Sequence, residues 1–276
     1  RQLGKRKMIN LITRKLIEVD RTTSTLLKPI PLWESLILTL APAMLLYVFY
    51  YFMMPSLMQT VRYPFLVVYL IAWGGGEALI FFASLVVYKT EGNPSTWKAF
   101  TSRYRVHKMG RKDWGWLAGL FVFSIITYFG LTFTAEWLGS MPGFSPPDFF
   151  PSELTPGAAG KLIPGEFMGL PLKGMWWVLV VYFFGWLFNI LGEEFWFRGY
   201  MLPRQELTHG RYAWIVQGVL FTLFHIFWKW NLIAILPGSL LMAYVIQRRQ
   251  NTWISILSHG IMNFLPMIYI FQSILG

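Results

Sequence analysis

The chain of 276 residues contains no cysteine. Disulfide frameworks, thiol nucleophiles and zinc–thiolate sites are therefore excluded. Charge is also scarce. Only 13% of residues are Asp, Glu, Lys or Arg, against 55% hydrophobic, whereas about 25% charged is usual for a soluble domain. Acidic residues are the scarcer sign, 13 against 24 Lys and Arg, for a net charge of +11. No cleavable signal-peptide pattern is visible. No fixed-period repeat is present, and no pair of interrupted spans of the kind that marks inverted-repeat transporters.

Long apolar blocks fill the chain instead. Blocks near 20 residues, the length that crosses a bilayer core, fall at Trp33–Met54, Pro64–Tyr88, Trp114–Leu138, Met175–Leu202, Tyr212–Trp228, Leu232–Ile246 and Trp253–Leu275. The expected fold class is all-α, a polytopic transmembrane helical bundle with about seven spans. The sixth block is short, reaching about 22 Å against a core of about 30 Å. Trp and Tyr flank many span ends, as interfacial anchors do.

The basic charge is unevenly placed. Arg1–Lys28 carries eight Lys or Arg and the connection Lys89–Lys112 seven. With Arg198, Arg204, Arg211, Arg248 and Arg249, 20 of the 24 fall on one set of alternating connections. The excess predicts a cytoplasmic N-terminus and an external C-terminus. It reads as topology and headgroup attraction, and so argues against nucleic acid as a partner. Three regions are expected: a basic amphipathic segment over 1–30, N-terminal spans with an external Pro/Gly-rich loop over 31–174, and a helical core over 175–276.

Three polar patterns interrupt the apolar runs of that core: Glu193-Glu194-x-x-x-Arg198, Phe221-x-x-x-His225 and His259-x-x-x-Asn263. Glu194 and Arg198 can pair at i, i+4, which leaves Glu193, about 100° away, without that partner. Counted from the inner span ends, Glu193 and His259 lie about 15 Å deep and His225 about 20 Å. Asn263 is deeper than His259. Four groups from three helices thus share one layer in the cytoplasmic half of the bilayer. Taken singly, each has a plainer reading: Glu194–Arg198 as a structural ion pair, a lone His or Asn as a packing residue with a hydrogen bond. Glu77, in "WGGGEAL", falls near the same layer. His107 and His209 fall in connections and are expected to be solvated.

A buried carboxylate whose pKa is tuned to the working pH serves as a general base. An imidazole beside it helps hold and polarise a water, and a second His with an Asn suits a developing oxyanion. The chemistry implied is hydrolysis of an amide by activated water.

The ordered trio, each member on an apolar span, resembles the CAAX protease and bacteriocin-processing family (the Abi or CPBP intramembrane proteases), which includes the Ras-converting prenyl-protein CAAX endopeptidases. The resemblance covers roughly Met175–Pro266. It implies an intramembrane endopeptidase with Glu193 as catalytic glutamate, His225 helping to activate water, His259 and Asn263 forming the oxyanion site, and Glu194 and Arg198 in support. Some members are labelled metalloproteases. Glu193, His225 and His259 would be the zinc ligands in that reading, with an open position. The absence of an H-E-x-x-H pair favours a metal-free, cofactor-free site. The expected partners are the lipid bilayer and a membrane-associated protein or peptide, a prenylated CAAX peptide if the source is eukaryotic. The location is a multi-pass membrane protein, in the bacterial cell membrane by preference or the endoplasmic reticulum of a eukaryote. The rivals are a non-catalytic scaffold or bacteriocin-immunity protein that uses the same cavity for binding, and a proton-coupled transporter.

Overall fold

The computed structural model describes residues 27–157 and 163–276. The basic segment expected over 1–30 lies outside them but for its last residues. Among the described residues the regular structure is helical except for one short antiparallel hairpin, Glu166–Phe167 with Leu170–Pro171, in the Pro/Gly-rich loop.

Helix α1 (Leu32–Val48) runs through a π turn, Phe49–Met53, into α2 (Met54–Thr60). Pro55 explains the turn: it offers no N–H, and its ring would clash with the carbonyl four residues back. The exposed residues of this run, Trp33, Ile37, Leu40, Met44, Val48 and Phe52, recur every three or four positions. The buried face holds Ser35, Thr39, Pro42, Ala43 and Leu46. A large apolar stripe outside with small or polar groups inside suits lipid and not water.

Helices α3 (Phe65–Thr90), α4 (Trp97–Arg103), α5 (Arg111–Gly130) and α6 (Thr132–Gly139) follow. The third expected span, Trp114–Leu138, is thus broken. Gly130 weakens the helix end, and the Leu131 N–H turns back to the Thr127 and Tyr128 carbonyls. The core begins with α7 (Trp176–Glu193), a π segment (Glu194–Met201) and α8 (Leu202–His209). It continues with α9 (Ala213–Phe224), a 3₁₀ stretch (His225–Asn231), α10 (Leu232–Arg249), α11 (Trp253–Met262) and α12 (Leu265–Leu275).

Four helical runs among the described residues are long and apolar enough to cross a membrane, or five if α11 and α12, bent by 40°, count as one span. The run Trp176–Arg249 contains the expected fourth, fifth and sixth spans. It turns at Gly210–Tyr212, and again at Trp228, whose φ of −114° and ψ of 47° are not helical. The expected fourth span is not one α-helix, because the ladder widens at Glu194. The sixth is longer than its apolar block: α10 has 18 residues, or about 27 Å. The last span is broken at Asn263–Phe264, before Pro266, which cannot extend a preceding helical ladder.

Two features hold the core in place. Helices α3 and α7 meet in a close seam. A Cβ on Gly192 would lie 3.0 Å from Phe81 N and 3.1 Å from the Glu77 carbonyl, so only glycine permits that approach. At the Lys/Arg-rich end, Arg103 pairs with Glu91 at 2.6 Å within one connection, and three ion pairs join segments far apart in sequence: Arg105–Glu206 at 2.7 Å, Arg249–Asp113 at 2.8 Å and Arg204–Glu34 at 3.3 Å.

Candidate active site

The glycine seam brings Glu77 on α3 beside Glu193 at the end of α7. Trp186 on α7 donates its indole N–H to the Gly260 carbonyl at 3.1 Å, which draws α11 against the same helix. Asn263 caps α11, its N–H bonded to the His259 carbonyl at 3.0 Å. These contacts place the first and third motifs face to face.

Their side chains form one hydrogen-bonded chain. Asn189 Nδ2 donates to Glu193 Oε1 at 2.6 Å. Asn189 Oδ1 accepts from Asn263 Nδ2 at 3.1 Å. Asn263 Nδ2 also meets His259 Nε2 at 3.1 Å. His259 Nδ1 meets Glu194 Oε1 at 3.0 Å. Glu194 Oε1 in turn lies 3.3 Å from Arg198 Nη1.

The partners assign the hydrogens. Glu194 is acceptor-only when ionised, so His259 carries its hydrogen on Nδ1 and accepts on Nε2. Both hydrogens of Asn263 Nδ2 are then engaged, one on Asn189 and one on His259. At Glu193 one oxygen is bound by Asn189, while Oε2 is buried without a protein partner among the described residues. Glu77 is within hydrogen-bonding reach of Asn189 and Glu193.

Burial is nearly complete. Glu193 is 2% exposed, and Glu194 and Arg198 are 0% exposed. Charged groups survive such burial when they pair with one another. Arg198 is also held over the Phe221 ring at 3.6 Å, a cation–π contact from the second motif to the first. The π segment that carries Glu194 and Arg198 is propped from outside the core: Arg103 donates to the Gly199 carbonyl at 2.7 Å.

His225 stands at the rim of this chain. Its Nδ1 bonds the Phe221 carbonyl at 2.8 Å. A carbonyl only accepts, so Nδ1 carries the hydrogen and Nε2 presents a lone pair. The Phe221 ring lies 4.9 Å from His225 and 6.3 Å from His259, between the two imidazoles. The His225 ring hydrogen bond goes to its own helix and not to Glu193. Phe227, 5.6 Å from the His225 ring, stacks on Tyr50 at 5.4 Å, and Phe150 of the Pro/Gly-rich loop packs edge-on against Trp228 and Trp230. His107 is exposed and His209 half-buried at the end of α8, both away from the site.

Two contacts go beyond the sequence reading. Glu193 has no bond to Arg198, and Asn189, one helical turn ahead of it, supplies one instead. That residue was legible as a polar group at i, i+4 from Glu193 inside an apolar run, the spacing that marks the other motifs. Glu194 does more than pair with Arg198, because its oxygen also fixes His259. Nor do Glu193, His225 and His259 form a zinc set in this arrangement. Both His259 nitrogens are engaged, and among the described residues no three His, Asp or Glu groups converge as a metal site.

A family model described as type II CAAX prenyl endopeptidase Rce1-like matches residues 175–265, the stretch that holds all three motifs. The match supports the family expected from the motifs. Together with the apolar helices, it supports a membrane-embedded protein of a protease family. No curated protein and no solved structure matches the chain.

Proposed function

We propose that the chain is an intramembrane endopeptidase that hydrolyses a peptide bond of a membrane-associated substrate with water activated by Glu193 and His225, without a metal. The observation that carries this reading is a general-base candidate held by one oxygen, with the other buried and without a protein donor among the described residues, at the end of a hydrogen-bonded chain through His259.

Glu193 Oε2 and His225 Nε2 are both acceptors, suited to the two hydrogens of one water. Glu193 removes a proton as the water oxygen bonds to the scissile carbonyl carbon. The carbonyl electron pair moves to oxygen, and the resulting oxyanion takes a hydrogen that Asn263 directs at Asn189 or His259 in the resting state. Glu193 then returns its proton to the departing nitrogen as the C–N bond breaks. Glu194 and Arg198 act from behind, holding His259. Residues 175–276 form the catalytic core in this reading.

The family named by the matching stretch makes a prenylated CAAX-type peptide the first substrate to offer. The test is cleavage of a fluorogenic prenylated peptide by the reconstituted protein. Glu193→Ala and His225→Ala are expected to lose turnover by at least about 100-fold while remaining folded. Undiminished cleavage by either variant contradicts the mechanism. A wild-type protein that binds the peptide without cutting it favours the scaffold reading.

A further inference from the structure

We infer that Asn189 is a positioning residue of this site: its carboxamide ties the Glu193 carboxylate to the Asn263–His259 pair, and so sets the orientation of both. The inference rests on the hydrolase reading above for its effect on rate, but not for its geometry.

Asn189 is 6% exposed and lies in the last turns of the apolar helix α7. A buried carboxamide there is costly unless its donor and acceptor are both satisfied. They are satisfied in opposite directions, the N–H₂ toward Glu193 at 2.6 Å and the oxygen toward Asn263 at 3.1 Å. The polarity of the chain follows. With Asn189 donating to Glu193, its oxygen must face Asn263, which leaves Asn263 presenting N–H and not C=O to that side. The second N–H of Asn263 then meets His259 Nε2, which must be an acceptor. The His259 hydrogen therefore sits on Nδ1, against Glu194. One amide thus sets the rotamer of the proposed base and the flip of Asn263, and aligns the Asn263 N–H with the His259 tautomer that Glu194 holds from the other side. It also leaves Glu193 Oε2 as the open oxygen. Such outer contacts are commonly worth about 10–100-fold in activity.

The test uses Asn189→Leu, similar in volume but without either polar atom, with Asn189→Ala as a smaller second variant. Imidazole ¹⁵N spectra of the full chain give a readout without substrate, since only four histidines contribute. The His259 Nε2 resonance is expected to shift in both variants, with those of His107 and His209 unchanged as a check on the fold. Turnover of the prenylated peptide is expected to fall by about 10–100-fold in kcat with little change in KM. In the Asn189→Leu/Asn263→Ala double variant, losses are expected to be less than multiplicative. An unchanged His259 resonance in both variants overturns the inference, as do fully multiplicative losses. If wild type does not cleave the peptide while His259 shifts, the hydrolase reading fails and the positioning role stands.

Discussion

At the scale of single residues, a few polar side chains carry the site, and their partners decide what each can do. Arg198 shows this best. It is fully buried, 3.3 Å from Glu194 and stacked on Phe221. Arg198→Met removes one charge and leaves the buried Glu194 carboxylate without its cation, held only by the His259 imidazole, which is expected to destabilise the protein by about 3–5 kcal/mol. Adding Glu194→Gln removes the orphaned charge, so the double variant is expected to regain part of that loss. Thermal unfolding in detergent measures both, and a double variant no more stable than Arg198→Met would contradict the pairing. The three motifs were legible from sequence, because ionised or imidazole groups inside apolar runs are conspicuous. Asn189 is far less conspicuous, being uncharged and outside any familiar motif. The division of labour between the adjacent glutamates was half-legible: i, i+4 spacing pairs Glu194 with Arg198, but nothing local tells that His259 joins them.

At the scale of elements, the site depends on where helices approach and where they deviate. Gly192 sets the approach. A methyl group there meets backbone atoms of α3 at 3.0–3.1 Å, which cannot move as a flexible side chain would. Gly192→Ala is expected to cost about 1–3 kcal/mol by overpacking and to lower activity more than its stability loss explains, since Glu193 is the next residue. Equal activity and stability in Gly192→Ala would show that the seam tolerates widening. Apolar block lengths predicted helices correctly but not their defects. Hydropathy does not separate α from π winding, so the widened turn at Glu194–Met201 was invisible. The breaks at Leu131 and Asn263 had cues in Gly130 and Pro266, weak beside the continuous apolar runs around them.

At the scale of the whole molecule, composition was enough to indicate an all-helical membrane bundle, and charge asymmetry to suggest its direction. The absence of cysteine makes that direction testable. Single cysteines at the exposed positions Lys98 and Lys173 lie on opposite expected faces. In sealed, inside-out vesicles a membrane-impermeant maleimide is expected to label Lys98→Cys and spare Lys173→Cys. Labelling of both, or the reverse pattern, would contradict the assigned topology. How three distant motifs converge could not be read from hydropathy, because convergence is fixed by the glycine seam, the Trp186–Gly260 bond and the ion pairs at the Lys/Arg-rich end, none of which has a periodic signal.

The central claim is that Glu193 acts as the base in this buried layer, and the most direct measurement is turnover of the prenylated peptide by Glu193→Gln. Glutamine keeps the shape of the side chain and removes its ability to take a proton. The account predicts a fall in kcat of about 10²–10⁴-fold with KM nearly unchanged. Turnover by Glu193→Gln within about two-fold of wild type, well short of any general-base contribution, would contradict it.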